Sequence, residues 1–210
     1  ARVVLDGPAA SWTLDIEEQN PEWSVREATF PRISVGGLGA SPADDFLLVP
    51  QASGVLRSHP LAANIQSYGM YPDGWTSFQL MAYYDVDGGV YFACHDPQAS
   101  TKRIITHPDG TTSGQVMAIG WIAPDSGVPG NGFATPAPTV VRAYQGDWFD
   151  ATQIYRAWAE AEALWWPRET RWDRPDTPQW MRDVCVWACT GGSSADCVDK
   201  VKEFAEYMGV

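Results

Sequence analysis

The chain has 210 residues, of which 45% are hydrophobic and 19% charged, and its 14 Lys and Arg against 26 Asp and Glu give a formal net charge of -12. This apolar content can build a core, which excludes wholesale disorder, and the acidic balance disfavours phosphate backbones and anionic lipid surfaces as partners. We therefore expect a folded protein that binds neither nucleic acid nor membrane.

From the first residue to about residue 145, short apolar runs alternate with Gly, Pro, Asn and Asp, a pattern typical of antiparallel strands. Residues 11–16 predict a half-buried strand, and residues 46–49 predict a strand that ends at Pro50. Residues 125–138 are rich in Gly and Pro and predict an exposed loop.

Two hairpins are predicted within this region. Residues 78–94 form two apolar arms around Asp87-Gly88-Gly89, and residues 102–122 form two arms around a turn at 107–110. Asp-Gly and a following Gly supply the positive φ angles that a tight turn requires.

The pattern changes at residue 147. Asp150 and Gln153 have the spacing of a capping box and start a run of apolar residues at helical spacing, namely Ile154, Trp158, Ala161 and Trp165. We predict a helix over 151–165, ended by Pro167, and an extended linker over 168–179.

The last segment predicts one βα unit. Residues 182–188 form an apolar run suited to a buried strand, and Ser193 with Asp196 signals a helix that continues to Gly209. A parallel strand needs neighbours on both edges, so this unit is incomplete by itself. The expected host is a (β/α) barrel that begins near Trp180; the alternative is a local ornament on the β-rich block.

The predicted fold is therefore mainly β, with a sandwich domain over 1–146, a bridging helix and linker over 147–179, and the start of a barrel over 180–210. Cys94, Cys185, Cys189 and Cys197 form no CxxC pair, and no His has zinc-finger spacing, so we expect no metal and no cofactor. Cys189 and Cys197 could close a short loop in an oxidising compartment.

Titratable residues gather after the second strand of the first hairpin, where His95 and Asp96 are followed by Lys102. One interpretation has the three side chains hydrogen-bond sugar hydroxyls. The other is an Asp-Pro turn in which Asp96 accepts hydrogen bonds from local backbone amides. A His-Asp pair without a G-x-S-x-G element does not predict a serine hydrolase.

Aromatic residues supply two further candidates. Tyr71 and Trp75, in a turn-rich segment over 69–75, could form a stacking platform for a saccharide or could pack a corner of the sandwich. Trp187 or Thr190, at the end of the last predicted strand, would face the substrate if the barrel prediction holds. Glycoside hydrolysis requires two flanking carboxylates, and we assign no catalytic residue within this chain.

Several of these segments resemble the N-terminal region of large bacterial glycoside-hydrolase-like proteins. They are residues 30–33 (FPRI), 45–50 (DFLLVP), 53–56 (SGVL), 78–85 (FQLMAYYD), 89–96 (GVYFACHD), Lys102, 146–148 (GDW), 155–158 (YRAW) and 178–180 (PQW). In that family, which is distantly similar to α-galactosidases, α-glucosidases and endo-α-N-acetylgalactosaminidases, a galactose-mutarotase-like β-supersandwich precedes a catalytic TIM barrel. The resemblance implies that this chain holds the supersandwich, the connecting helix and the first βα unit of a truncated barrel.

The expected function is thus that of a non-catalytic N-terminal part of a glycoside hydrolase, which supports the remainder of the barrel and contributes to the rim of a saccharide cleft. The substrate-contacting residues would be Trp75, His95, Asp96, Lys102 and Trp187. The alternatives are a stand-alone carbohydrate-binding module and a structural or assembly domain that binds no sugar. The acidic, soluble composition fits an extracellular or periplasmic location.

Overall fold

A computed structural model describes residues 1–17, 20–110, 114–167, 177–184 and 193–209. The chain divides into two compact units, Ala1–Trp166 and Pro167–Val210. The described part of the first unit is mainly β, with antiparallel sheets and a single α-helix, so the predicted mainly β fold is confirmed. Within these ranges, no helix combines the length and the apolar composition needed to cross a bilayer.

The strands of the first unit form three sheets. The strands are β1 Arg2–Asp6, β2 Ala9–Thr13, β3 Asp15–Ile16, β4 Glu27–Gly36, β5 Phe46–Val49, β6 Val55–Ser58, β7 Ser67–Tyr71, β8 Leu80–Tyr84, β9 Gly89–Cys94, β10 Lys102–Pro108, β11 Gly114–Ile122, β12 Phe133–Ala134 and β13 Thr139–Tyr144. A seven-stranded sheet, the large sheet, has the order β1-β2-β13-β9-β8-β5-β6. A four-stranded sheet, the small sheet, has the order β4-β11-β10-β7, and β12 pairs with β3.

The central strands of the large sheet are buried on both faces. Strand β8 is buried at every position because its sequence, LMAYY, is apolar or aromatic throughout. Alternate residues of β8 and β9 enter a core shared with the small sheet, and these are Met81, Tyr83, Phe92 and Cys94. The residues between them pack against a helix on the opposite face, and these are Leu80, Ala82, Tyr91 and Ala93. A two-sided burial of this kind explains why these strands read as continuous apolar runs.

Both predicted hairpins are confirmed, since β8 pairs with β9 and β10 pairs with β11 in antiparallel register. The turn predicted at 107–110 was placed too early, because His107 and Pro108 still pair with Val116 and Gln115 as part of β10. In the first turn, Asp85 Oδ1 accepts hydrogen bonds from the amides of Asp87 and Gly88 at 2.9 and 3.1 Å. Gly88 has a φ of 150°, and a Cβ atom there would overlap the carbonyl oxygen of Tyr144. The turn therefore needs glycine for its backbone angle and for the close approach of β13.

The predicted loop over 125–138 is only partly correct. Residues 124–129 are exposed, as expected, but Phe133–Ala134 pairs with Asp15–Ile16 as a short strand. Phe133 is buried in the core shared by the two sheets. The burial of one aromatic side chain thus draws a Gly- and Pro-rich segment back onto the sandwich.

Helix α1 spans Trp148–Glu162, three residues earlier than predicted at both ends. Asp147, and not Asp150, is the N-cap: its Oδ1 accepts from the Phe149 amide at 2.7 Å, and Asp150 Oδ2 accepts from the Asp147 amide at 3.0 Å. A carboxylate at N3 closes the capping box as a glutamate would. After the helix, the Leu164 amide donates to the carbonyl oxygen of Pro97 at 3.0 Å, which turns the chain away from the helix axis.

The second unit is described by two helices, α2 Gln179–Asp183 and α3 Ser194–Met208. Ser193 caps α3 and Gly209 ends it in the left-handed conformation, which confirms the predicted start and stop. Asp183 lies in α2 and not in the predicted strand over 182–188, because the chain turns helical directly after Pro178.

Residues 185–192, which include Cys189 and most of the predicted strand, lie outside the described residues. The disulfide between Cys189 and Cys197, the barrel over 180–210 and the three-part domain division stay predictions.

Candidate functional site

Lys102 is the first residue of β10, and its side chain is completely buried. Its Nζ lies 2.8 Å from Asp96 Oδ2 and donates to Gln79 Oε1 at 2.7 Å. The same nitrogen lies 4.9 and 5.1 Å from the ring centroids of Tyr71 and Trp121. A buried ammonium group requires such partners, since an unpaired charge in the protein interior is strongly destabilising.

Asp96 is also buried, with 1% of its surface exposed. Its Oδ1 accepts from the Gln98 amide at 3.0 Å, and its Oδ2 accepts from the Ser100 amide at 2.7 Å. Burial by itself would raise the pKa of Asp96, but the hydrogen bond and charge of Lys102 and the two amides outweigh it and lower the pKa. These contacts have the form of the structural alternative, the Asp-Pro turn.

His95 follows β9 and lies between the large sheet and α1. Its ring is stacked on Trp158, with centroids 4.6 Å apart and planes inclined by 13°, and Nε2 lies 2.8 Å from the Tyr91 hydroxyl. Burial lowers the pKa of His95 from 6.5 to about 4. The imidazole is therefore neutral at pH 7, and it shares its hydrogen bond with the Tyr91 hydroxyl as an uncharged ring.

The groups around Lys102 are held in one protonation state near neutral pH. Burial, with a smaller effect from the charge of Asp96, raises the pKa of Tyr71 to about 12. Burial also raises the pKa of the Cys94 thiol, which keeps it protonated and weakly nucleophilic. We conclude that this cluster links β8, β10 and the turn after β9 to one another. Its groups suit a permanent structural ion pair between Lys102 and Asp96.

Of the five residues proposed from the sequence, the structure brings together the side chains of Asp96 and Lys102, whereas the His95 ring lies on the α1 side of the large sheet, against Trp158 and Tyr91. Sequence reasoning missed Gln79, which bridges the pair by accepting from Lys102 and by donating from Nε2 to the Asp96 carbonyl oxygen at 3.1 Å. The available signal was a fully polar side chain at the start of the apolar run over 78–84. Sugar contact by the three residues stays a prediction.

Trp75 lies apart from this cluster, at the mouth of a cavity of about 320 Å³ between the two sheets. The cavity is bounded by the end of β5, by β7, β8 and β10, and by the Trp75 loop. The Trp75 side chain is 69% exposed, whereas Tyr71, its expected partner in a platform, is 5% exposed and enters the core. The predicted two-ring platform is therefore wrong, because β7 directs Tyr71 toward Lys102.

The fifth predicted residue, Trp187, lies outside the described residues, as does Thr190. Its contact with substrate stays a prediction.

Residues 133–210 match a family described as "Domain of unknown function (DUF6259)". The matched region begins in β12 and includes β13, α1 and the second unit.

The chain is also similar to a protein of Monosiga brevicollis named "Putative glycoside hydrolase 22789". The two are 25% identical over 168 residues, which cover 77% of this chain and 14% of that protein. This distant and partial likeness supports the resemblance to glycoside-hydrolase-like proteins that the sequence motifs indicate.

Proposed function

We propose that this chain is a non-catalytic part of a glycoside hydrolase, in which the β-sandwich supports a (β/α) barrel and contributes to the rim of a saccharide cleft. The sandwich would be of the galactose-mutarotase type, and residues 180–210 would form the start of the barrel. The partners would be a saccharide and the remainder of the barrel, in an extracellular or periplasmic protein.

The similarity to a protein named as a glycoside hydrolase carries this proposal, because it extends over 168 residues and therefore includes most of the sandwich. The buried cluster around Lys102 supports a non-catalytic role for its region. Glycosidases use one carboxylic acid of raised pKa beside a second carboxylate, whereas the pKa of Asp96 is lowered by its fixed pairing with Lys102.

The test compares this chain with the complete product of its gene and with that product lacking residues 1–146. Nitrophenyl glycosides of galactose, glucose and N-acetylgalactosamine report hydrolysis directly. We expect turnover by the complete product, none by the 210-residue chain, and loss of most activity without the sandwich. Hydrolysis by the 210-residue chain would contradict the non-catalytic role, and an inactive complete product would contradict the assignment to glycoside hydrolases.

A second candidate is a stand-alone carbohydrate-binding module. The exposed Trp75 beside a cavity favours it, since a fixed aromatic face and a few polar groups are sufficient for sugar binding without catalysis. This function predicts saccharide binding by the chain together with a complete gene product that hydrolyses no glycoside.

A further inference from the structure

The cavity beside Trp75 has the features of a small-molecule site. We propose that it binds one neutral pyranose ring, with the indole of Trp75 against the C–H face of the ring and the Thr76 hydroxyl paired with a ring hydroxyl. This inference rests on the proposed relation to saccharides and assigns sugar binding to one place on the sandwich.

The cavity lining contains no charged side chain, and this favours a neutral ligand. Every residue that lines it is uncharged, although the chain as a whole carries a net charge of -12. Phosphates, carboxylates and amines are bound through charged partners, which this lining does not provide. The volume of about 320 Å³ is at the lower end of the range of about 300–1,000 Å³ found for small-molecule pockets.

The backbone of Trp75 is fixed while its side chain remains exposed. The Trp75 amide donates to Asp73 Oδ1 at 3.0 Å, and its carbonyl oxygen accepts from the Ala52 amide at 2.7 Å. The backbone that carries the indole is thus already ordered, so that sugar binding has to fix only the side-chain rotamer of Trp75. A flat apolar face with a polar edge suits a sugar ring, which has an apolar face of C–H groups and a rim of hydroxyls.

Thr76 supplies the observation that points to a ligand. The residue is 2% exposed and lines the cavity, and its hydroxyl has no hydrogen-bond partner among the residues that the structure describes. The hydroxyl lies against Gly69 so closely that a Cβ atom at that position would overlap it. The hydroxyl is open to the cavity, so it is available to a hydroxyl of a ligand bound there.

The other polar groups of the lining divide into engaged and available ones. The Thr106 hydroxyl donates to the Val116 carbonyl oxygen at 2.7 Å and accepts from Gln115 Nε2 at 2.7 Å, so it is already satisfied. The Ser67 hydroxyl has no partner in the described part of the chain and can join Thr76 in binding a sugar. This pattern gives a ring two hydroxyl contacts and one stacking contact.

The test uses saturation-transfer NMR on the 210-residue chain with methyl α-D-galactopyranoside and methyl α-D-glucopyranoside as probes. We expect transfer to the ring C–H protons of at least one probe and a shift of the Trp75 indole N–H resonance. Trp75→Ala should weaken binding at least about tenfold, and Thr76→Val, which keeps the side-chain shape, by about five- to tenfold. Trp23→Ala is the matched control, because Trp23 is 73% exposed and does not line the cavity.

Two results of this NMR experiment would overturn the inference. Binding that survives both Trp75→Ala and Thr76→Val places the sugar elsewhere and leaves the proposed function intact. Absence of binding to both probes rejects the cavity as a pyranose site, and the glycosidase assay of the complete gene product then decides the proposed function separately. Circular dichroism of each variant verifies that the fold is retained, and Thr76→Val tests the site without removing a large side chain.

Discussion

At the scale of single residues, the pair of Lys102 and Asp96 is the one buried ion pair among the residues that the structure describes. We expect Lys102→Met to lower the free energy of unfolding by about 3–5 kcal/mol, because it leaves the Asp96 carboxylate buried without its cation. Urea denaturation measures the change. Arg156→Met is the matched control: its pair with Glu160 is exposed on α1 and should contribute less than about 0.5 kcal/mol.

Equal destabilisation by the two substitutions would contradict the central role of the buried pair. The double variant Lys102→Met, Asp96→Asn should recover part of the loss, since it removes the unpaired charge. Because folding lowers the pKa of Asp96, the pair stabilises the fold above the ordinary carboxyl pKa and loses this contribution as the pH falls through the folded-state value.

His95 predicts a second pH dependence at a different pH. Its pKa is about 4 in the folded protein and 6.5 in the unfolded chain, so the unfolded state binds the proton first. Stability is therefore complete above pH 6.5 and falls by up to about 3 kcal/mol as the pH is lowered to 4. Urea denaturation at pH 7.5 and 4.5 should show a smaller decrease for His95→Phe than for the wild type.

The exposed His59 provides the comparison for this experiment, with His59→Asn chosen because Asn tolerates its positive φ. This variant should keep the wild-type dependence on pH. An unchanged dependence in His95→Phe would show that His95 is not the group responsible.

At the scale of elements, α1 covers the outer face of the large sheet through Tyr155 and Trp158. We expect Trp158→Ala to destabilise the protein by about 3–5 kcal/mol, since it opens a cavity in a buried aromatic cluster. Thermal and urea unfolding measure the loss. Trp148→Ala, on the same helix but 43% exposed, should cost less than about 1 kcal/mol.

A second readout of Trp158→Ala comes from His95, whose pKa should rise toward 6.5 once the stacked indole no longer buries the imidazole. NMR titration of the histidine ring protons follows this change. A stable variant with an unshifted His95 would contradict the proposed packing of α1.

The elements that the sequence predicted correctly are those specified by neighbouring residues. Asp87-Gly88 marks its hairpin because a turn acts within a few residues, whereas the turn predicted at 107–110 begins too early, since His107 and Pro108 belong to β10. The start of α1 was misplaced since Asp147 and Asp150 both have capping chemistry, and only the hydrogen bonds decide between them. The Trp75 segment was recognised as turn-rich and aromatic, but the cavity beside it combines residues of four strands, which no local pattern reveals.

At the scale of the whole molecule, the first unit ends at Trp166 and includes α1. A chain of residues 1–166 should therefore unfold at nearly the same temperature as the first unit of the 210-residue chain. A chain of residues 1–146 should aggregate or bind a hydrophobic dye, because the outer faces of β8 and β9 lose their cover. Circular dichroism and dye fluorescence distinguish the two outcomes.

An independently folded 1–146 would show instead that the helix is dispensable and would favour the domain boundary expected from the sequence.

The order of strands in the large sheet was not predictable, because β13 enters between β2 and β9 with no signal in the residues near it. Such pairings depend on the tertiary core, which is shared by segments far apart in sequence.

The position of β13 has a consequence for how the protein is made. The Leu14 amide donates to the Thr135 hydroxyl beside the β3–β12 pair, across 121 residues of sequence, and β13 begins shortly after, at Thr139. During synthesis the hairpin of β1 and β2 must leave the ribosome long before the strand that joins it to the large sheet. Until β13 has been made, the nascent chain therefore carries an unfinished sheet edge, and chaperones that protect such edges have their greatest effect in this period.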